Sequence, residues 1–218
     1  MRLILFFLLA LVRICDATSY SKLHSGNCKA LFPISENPLV ILDAGHGGPD
    51  EGTKVQTVLE KRIALSTTLM TKQYLEEMGY QVKLTRAKDA FISLPKRVSI
   101  ANTAGASLFV SIHYNASKNK TAKGVEVFYP GAKELWRTHA SKRLAHCVLA
   151  GLLRQTDASS RGIKEGNFHV IRETQMPAVL IEGGFVTNFE ERELLKDRDY
   201  LGKIAKGIAR GIDKYLKS

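Results

Sequence analysis

Two histidines and two glutamates of this chain stand where catalytic groups commonly stand. The apolar pair Ile41-Leu42 breaks into Asp43-Ala44-Gly45-His46-Gly47-Gly48-Pro49-Asp50-Glu51-Gly52, so His46 is held among glycines that let backbone approach closely. Glu60 opens a segment of helical spacing, His113 closes the strand-like run 107–112, and Glu182 closes the run 178–181. Two imidazoles and a carboxylate, with a second carboxylate spare, are the parts of a hydrolytic zinc site: three protein ligands, one position open to water, and a base. On this reading His46, Glu60 and His113 hold one Zn2+ per chain. Glu182 takes a proton from the attacking water and passes it to the leaving amine. Each residue also has a plainer reading. His46 alone is a turn residue, Glu60 complements a helix dipole, His113 is a hydrogen-bonded core histidine, and Glu182 is half of an ion pair. The chemical reading gains weight because His46, His113 and Glu182 all fall at carboxyl ends of strands, where ligand sites of α/β sheets collect.

The elements that must position these groups alternate. Residues 39–43 read as a buried strand, 59–78 as a helix with Leu65, Leu69 and Leu75 in helical spacing, and 81–85 as an alternating strand. Residues 94–104 are helical, 107–113 form a second buried strand, and 124–129 alternate up to the turn Pro130-Gly131. A long amphipathic helix covers 133–153, short strands cover 168–171 and 178–182, and 200–216 closes with Leu201, Ile204, Ile208, Ile212 and Leu216 on one face. Strands alternating with helices imply an α/β fold: one domain with a twisted, mostly parallel six-stranded sheet flanked by helices on both faces. No internal repeat or low-complexity tract interrupts it.

The chain opens with Met1-Arg2 and an apolar run 3–12, then Arg13, Cys15 and Ala17, which reads as a signal peptide over residues 1–17. A short polar arm, 18–38, then precedes a catalytic domain at 39–218. No later stretch is apolar enough to span a bilayer, so export to the periplasm or cell envelope, with no stable membrane span after cleavage, is the expectation. The net charge is +11. A basic exported protein meets anionic surfaces, such as an acidic wall polymer. Nucleic acid is not expected as a partner, because the cations are scattered among acids and not gathered with aromatics. Cys28 and Cys147 could pair after export, and neither belongs to a metal-like cysteine pair. His139 and His146 lie two helical turns apart, too far to share an ion. His169 reads as a strand residue beside Arg172 that could face substrate.

The motifs Asp43–Gly52, Glu60-Lys61, Thr85-Arg86, Ser111-Ile112-His113-Tyr114-Asn115-Ala116 and Met176-Pro177-Ala178-Val179-Leu180-Ile181-Glu182-Gly183-Gly184-Phe185 come in the order found in the zinc-dependent N-acetylmuramoyl-L-alanine amidases of the amidase-3 family, which the chain resembles from about Leu39 onward. The resemblance implies zinc on His46, Glu60 and His113, Glu182 as catalytic acid/base, and peptidoglycan as substrate, cleaved between muramic acid and the first alanine of the stem peptide. Stem peptides carry free carboxylates, which suits a basic enzyme. Some relatives add a wall-binding domain, for which the arm is too short. Some insert an occluding helix after the strand corresponding to 125–129, for which 130–133 leaves no room. The expectation is therefore a monomer with an accessible site, with at most an envelope protein that localises or activates it. Gly183, bulkier in many relatives, is expected to loosen the pocket wall beside Glu182.

Two other chemistries compete. A zinc stem-peptide carboxypeptidase would use the same donor set. A penicillin-sensitive serine activity would use Ser93 and Lys96, which have the Ser-x-x-Lys spacing, although no Lys-Thr-Gly follows. Ser93 otherwise reads as a helix cap.

Overall fold

A computed structural model describes residues 38–131 and 134–218. The expected signal peptide, all of the arm except Pro38, Cys28 and Lys133 lie outside these residues.

The first strand, β1 (Leu39–Ala44), is apolar almost throughout because both faces are covered. The hairpin β2 (Lys54–Val55) and β3 (Val58–Leu59) leads into α1 (Glu60–Glu77), followed by β4 (Gln81–Leu84), α2 (Leu94–Thr103), β5 (Leu108–Asn115) and β6 (Val125–Tyr129). Then come α3 (Leu135–Gln155), β7 (Ser160–Glu165), α4 (His169–Glu173), β8 (Ala178–Phe185), α5 (Phe189–Lys196) and α6 (Arg198–Leu216). The main sheet has six strands in the order β4-β1-β5-β8-β6-β7. β4, β1, β5 and β8 are parallel; β6 meets β8 antiparallel and carries β7 parallel to itself. The sheet is thus mostly parallel, with one reversal of direction between β8 and β6.

One face of the sheet, with Val40, Leu42, Val110, Ile112, Tyr114 and Ile181, packs into the larger core with residues of α1, α3 and α6. The other, with Ile41, Phe109, Ala178 and Leu180, packs with residues of α2 and α4. On α1 the buried face is not the leucine row: Leu69 is exposed, and Ile63, Ala64, Thr67, Thr68, Thr71 and Leu75 turn inward. The threonines can be buried because Thr68 and Thr71 donate to the carbonyls of Ala64 and Thr67, and Thr67 pairs with the Tyr114 hydroxyl at 2.5 Å. In the same helical layer, Gly151 of α3 lies against Gly207 of α6, where an added Cβ would come within 2.2 Å of the Gly207 carbonyl oxygen.

Residues 168–171 do not form a strand. They begin α4, whose C-terminal carbonyls are held by a buried guanidinium: Arg137 of α3 donates to the carbonyls of Ile171, Arg172 and Thr174. Four apolar-rich residues carry too little periodicity to separate strand from helix. His169 is therefore a helix residue, with Nδ1 3.4 Å from Arg172 Nη2. Unforeseen elements are the edge strand β7, whose Ser-Arg-Gly-Ile-Lys-Glu is polar for a strand, and α5, capped by the Asn188 side chain accepting from the Glu191 amide.

Candidate metal centre

The loop after β1 is built to hold a histidine in one place. Gly45 donates to the Ile112 carbonyl at 3.0 Å, and its missing Cβ leaves room for the His113 ring, whose Cε1 would lie 2.4 Å away. His46 follows with φ of +58°, a left-handed conformation costly for a residue with a Cβ. Three cations hold the carbonyls of this loop. Arg86 donates to Ala44 and Gly45, Arg97 to Ala44 and His46, and Lys61 to Gly48. Beneath it, buried Asp43 accepts from Arg97 at 2.7 Å, Thr85 at 2.6 Å and Ser111 at 2.7 Å. Burial opposes the charge of Asp43, but Arg97 and the two hydroxyls outweigh it and hold the carboxyl below its usual range.

His46 meets both oxygens of Asp50 through Nδ1 at 2.9 Å and turns Nε2 to Glu60 Oε1 at 3.0 Å. His113 reaches the same Oε1 through Nδ1, also at 3.0 Å. The backbone fixes Glu60 from behind: Tyr114 N–H donates to Oε1 at 3.2 Å and Thr53 N–H to Oε2 at 2.9 Å. Burial works against the Glu60 carboxylate, yet the imidazoles of His113 and His46 keep it ionised to far below the ordinary range. His46 is likewise raised, because Glu60 and Asp50 outweigh its burial. One carboxylate oxygen thus receives two ring nitrogens aimed at a common point, and the ligand atoms of His46, Glu60 and His113 lie within 4.8 Å of one another. Two nitrogen donors and one oxygen donor fit zinc better than magnesium or calcium, which take oxygen shells.

Glu182 shares a rung of the sheet with His113. His113 pairs in register with Glu182 across β5–β8, so both side chains leave the same face of the sheet. Glu182 Oε2 is buried and, among the described residues, has no hydrogen-bond partner. Burial, followed by the charges of Glu60 and Glu126, pushes its carboxyl well above the usual value. A buried carboxylate oxygen left without a partner is expensive unless something else is to meet it. Gly183 points the other way: its Cβ would come 2.9 Å from the ring of buried Tyr114, so it packs against the core and does not loosen the wall beside Glu182.

The sequence reading missed three features here. Asp50 orients His46 from four residues downstream, a spacing visible within the glycine-rich loop. Glu126, buried between Val125 and Val127 on β6, lies opposite Glu182 in register. Arg161 and Lys164 of the unforeseen β7 reach Glu126. Ser93 is exposed at the N-cap of α2, makes no side-chain cap bond and has an exposed Lys96 three residues on, which builds no serine centre. His139 and His146 of α3 and His169 of α4 are not in the three-residue cluster.

An α/β sheet that brings two imidazoles, a carboxylate and a nearby unpartnered acid together offers a possible three-residue metal site of the kind hydrolases use. Comparison with known proteins gives its kind. Residues 40–214 match the family model described as N-acetylmuramoyl-L-alanine amidase. The chain is 37% identical over 175 residues to N-acetylmuramoyl-L-alanine amidase CwlM of Bacillus licheniformis, covering 79% of this chain and 66% of CwlM. Among solved structures, an N-acetylmuramoyl-L-alanine amidase from Clostridium difficile 630 superposes with a TM-score of 0.80 at 39% identity, covering 84% of this chain and 99% of that one. The CwlD amidase from Clostridioides difficile, solved in complex with the GerS lipoprotein, gives 0.78 at 36% identity, with coverage of 83% and 99%. This chain belongs to the N-acetylmuramoyl-L-alanine amidase family and is an amidase.

Proposed function

We propose that the chain hydrolyses peptidoglycan at the amide joining the lactyl group of N-acetylmuramic acid to the L-alanine of the stem peptide, with His46, Glu60 and His113 holding one zinc ion and Glu182 moving the proton. The observation that carries this reading is the unpartnered buried oxygen of Glu182 in register with His113, whose imidazole converges with that of His46 on Glu60. Zinc, when bound, would polarise the scissile carbonyl and lower the pKa of a water to about 7.

The protein does the rest. Asp50 accepts a hydrogen bond from the Nδ1–H of His46 and so leaves Nε2 free for the metal. The amides of Thr53 and Tyr114 hold the Glu60 carboxylate in one orientation. Glu182 accepts a proton from the attacking water and gives it to the alanine nitrogen as the carbon–nitrogen bond breaks. The products are a free muramic lactyl carboxylate and a stem peptide with a free amino terminus. The exposed parts of His46 and His113, 24% and 19% of their side chains, leave the substrate a way in.

Action outside the cytoplasm follows from the substrate, and among the described residues no helix is long and apolar enough to cross a membrane. An envelope protein that localises the enzyme is the partner to seek, on the precedent of the complexed CwlD structure.

Mass spectrometry of peptidoglycan digested by the purified, zinc-loaded protein tests this function. Intact stem peptides with free N-terminal alanine and uncut glycan strands are the expected products. Release of single amino acids from stem-peptide ends would instead identify a carboxypeptidase.

A further inference from the structure

Beyond Glu182 the sheet carries a second buried carboxylate for which the hydrolytic reaction has no use. Glu126 is 4% exposed and sits opposite Glu182 across the antiparallel β8–β6 pair, so His113, Glu182 and Glu126 form one row over three strands. Its Oε1 accepts from Asn115 at 2.6 Å, and its Oε2 takes both Arg161 Nε at 3.0 Å and Lys164 Nζ at 2.5 Å. One negative charge thus holds two positive ones, and a unit of positive charge is left over beside the reaction centre. The cations are only partly covered, with 36% of the Arg161 and 42% of the Lys164 side chain accessible. They are also held in place by rings: the Arg161 guanidinium lies 4.9 Å from the Phe185 centroid and the Lys164 ammonium 5.9 Å from that of Phe128. A fixed, half-desolvated guanidinium and ammonium with spare donors are a receptor for a carboxylate.

The order of the strands says which part of the substrate would reach it. The metal ligands come from the β1 end, α1 and β5, Glu182 from β8, and the two cations from β7 beyond β6. The scissile carbonyl must sit by the ligands and the leaving nitrogen by Glu182, so the departing peptide continues toward β6 and β7.

Building on the amidase reading, we propose that Arg161 and Lys164, anchored by Glu126, form a subsite that binds a free carboxylate of the stem peptide on the leaving-amine side of the scissile bond. Glu126 is then a positioning residue: it touches no reacting atom and sets where the two cations stand.

The test uses two synthetic N-acetylmuramoyl-L-alanyl peptides that differ only in whether the residue after alanine carries a free α-carboxylate or its carboxamide. The zinc-loaded enzyme should prefer the carboxylate in kcat/KM by about tenfold or more, the size of one charge-assisted contact. R161Q and K164M should each reduce that preference several-fold, mainly through KM, and R161K should keep most of it. Matching thermal melts would show that the variants fold. A preference absent from the wild type, or unchanged in both R161Q and K164M, would overturn the subsite and leave the amidase intact. If neither compound is cut at the muramoyl–alanine bond, the amidase reading itself falls, and the subsite with it.

Discussion

Glu126 and Glu182 face one another in a single rung of the β6–β8 ladder, two buried acids brought together by antiparallel pairing. The negative charge of Glu126 disfavours ionisation of Glu182. The first prediction follows from that opposition. Glu182 works as a base only when ionised, and burial together with the charges of Glu60 and Glu126 raises its pKa. Removing one negative neighbour favours the ionised form. E126Q should therefore move the acid limb of the pH–kcat/KM profile to lower pH, and a limb that stays put or moves up would show that Glu126 does not act on Glu182.

Metal content separates the ligands from the base. H46A and H113A should bind little zinc and show negligible hydrolysis, and E60A should bind it more weakly. E182Q should keep its zinc and its melting behaviour while losing about 10²–10⁴-fold in kcat. Chelation of the wild type should abolish turnover, and added zinc should restore it. Zinc analysis beside kinetics decides each case, and loss of metal in a folded E182Q would make Glu182 a ligand.

Asp50 should matter although it is not one of the metal-ligand trio. Its two oxygens at 2.9 Å from His46 Nδ1 fix the ring and its tautomer. D50A should weaken zinc affinity by about 10–100-fold, the cost typical of losing such a partner. Competition against a zinc-binding dye measures it.

The Asp43–Arg97 pair makes stability depend on acid. Both side chains are buried, 1% and 3% accessible, so D43N should cost about 3–5 kcal/mol at neutral pH by leaving Arg97 without its charge partner. Because the folded pKa of Asp43 is depressed, its contribution is present above the unfolded value near 3.9 and fades as pH falls through the folded one. The stability gap between wild type and D43N should thus narrow below about pH 4. Urea unfolding across a pH series would show it.

No activator should be needed in vitro. β6 runs opposite to β8, so the turn at Pro130-Gly131 leaves the sheet at the end away from His113, and α3 starts at Leu135. The loop at the near end, 116–124, is tied to α5 and its approach: Ser117 N–H donates to Thr187, Asn188 donates to the Lys120 carbonyl, and Lys123 pairs with Glu190. Dye release from labelled sacculi should proceed with the purified chain alone. A large stimulation of kcat by envelope extract would mean that this loop covers the site.

Much of this was legible in the residues because burial and chemistry disagree at the same places. An acid closing the apolar run before Glu182, or a histidine closing the one before His113, violates the pattern of a core strand and so announces itself. Hydrophobic spacing also located α6, whose Leu201, Ile204, Ile208 and Ile212 are all buried. What escaped depended on pairing. β7 went unassigned because its Arg161 and Lys164 are stabilised by Glu126 across the sheet, a partner that no local window contains. The α1 face was misjudged because Thr67, Thr68 and Thr71 become core residues once their hydroxyls are satisfied. α4 was misread because the side chain that holds its end, Arg137, comes from about 35 residues earlier in the chain.

The reversal of strand direction between β8 and β6 divides the molecule's capacity to change. Everything that would touch the metal or the travelling proton comes from β1, α1, β5 and β8. The polar wall beyond the reversal comes from β6 and the edge strand β7, where no further strand follows. An edge strand can exchange side chains without disturbing partners on both sides. New wall chemistries, such as amidated or substituted peptides, can therefore be met by drift along β7 while the bond-breaking half is inherited untouched, and a laboratory selection for altered peptide preference should collect its substitutions there.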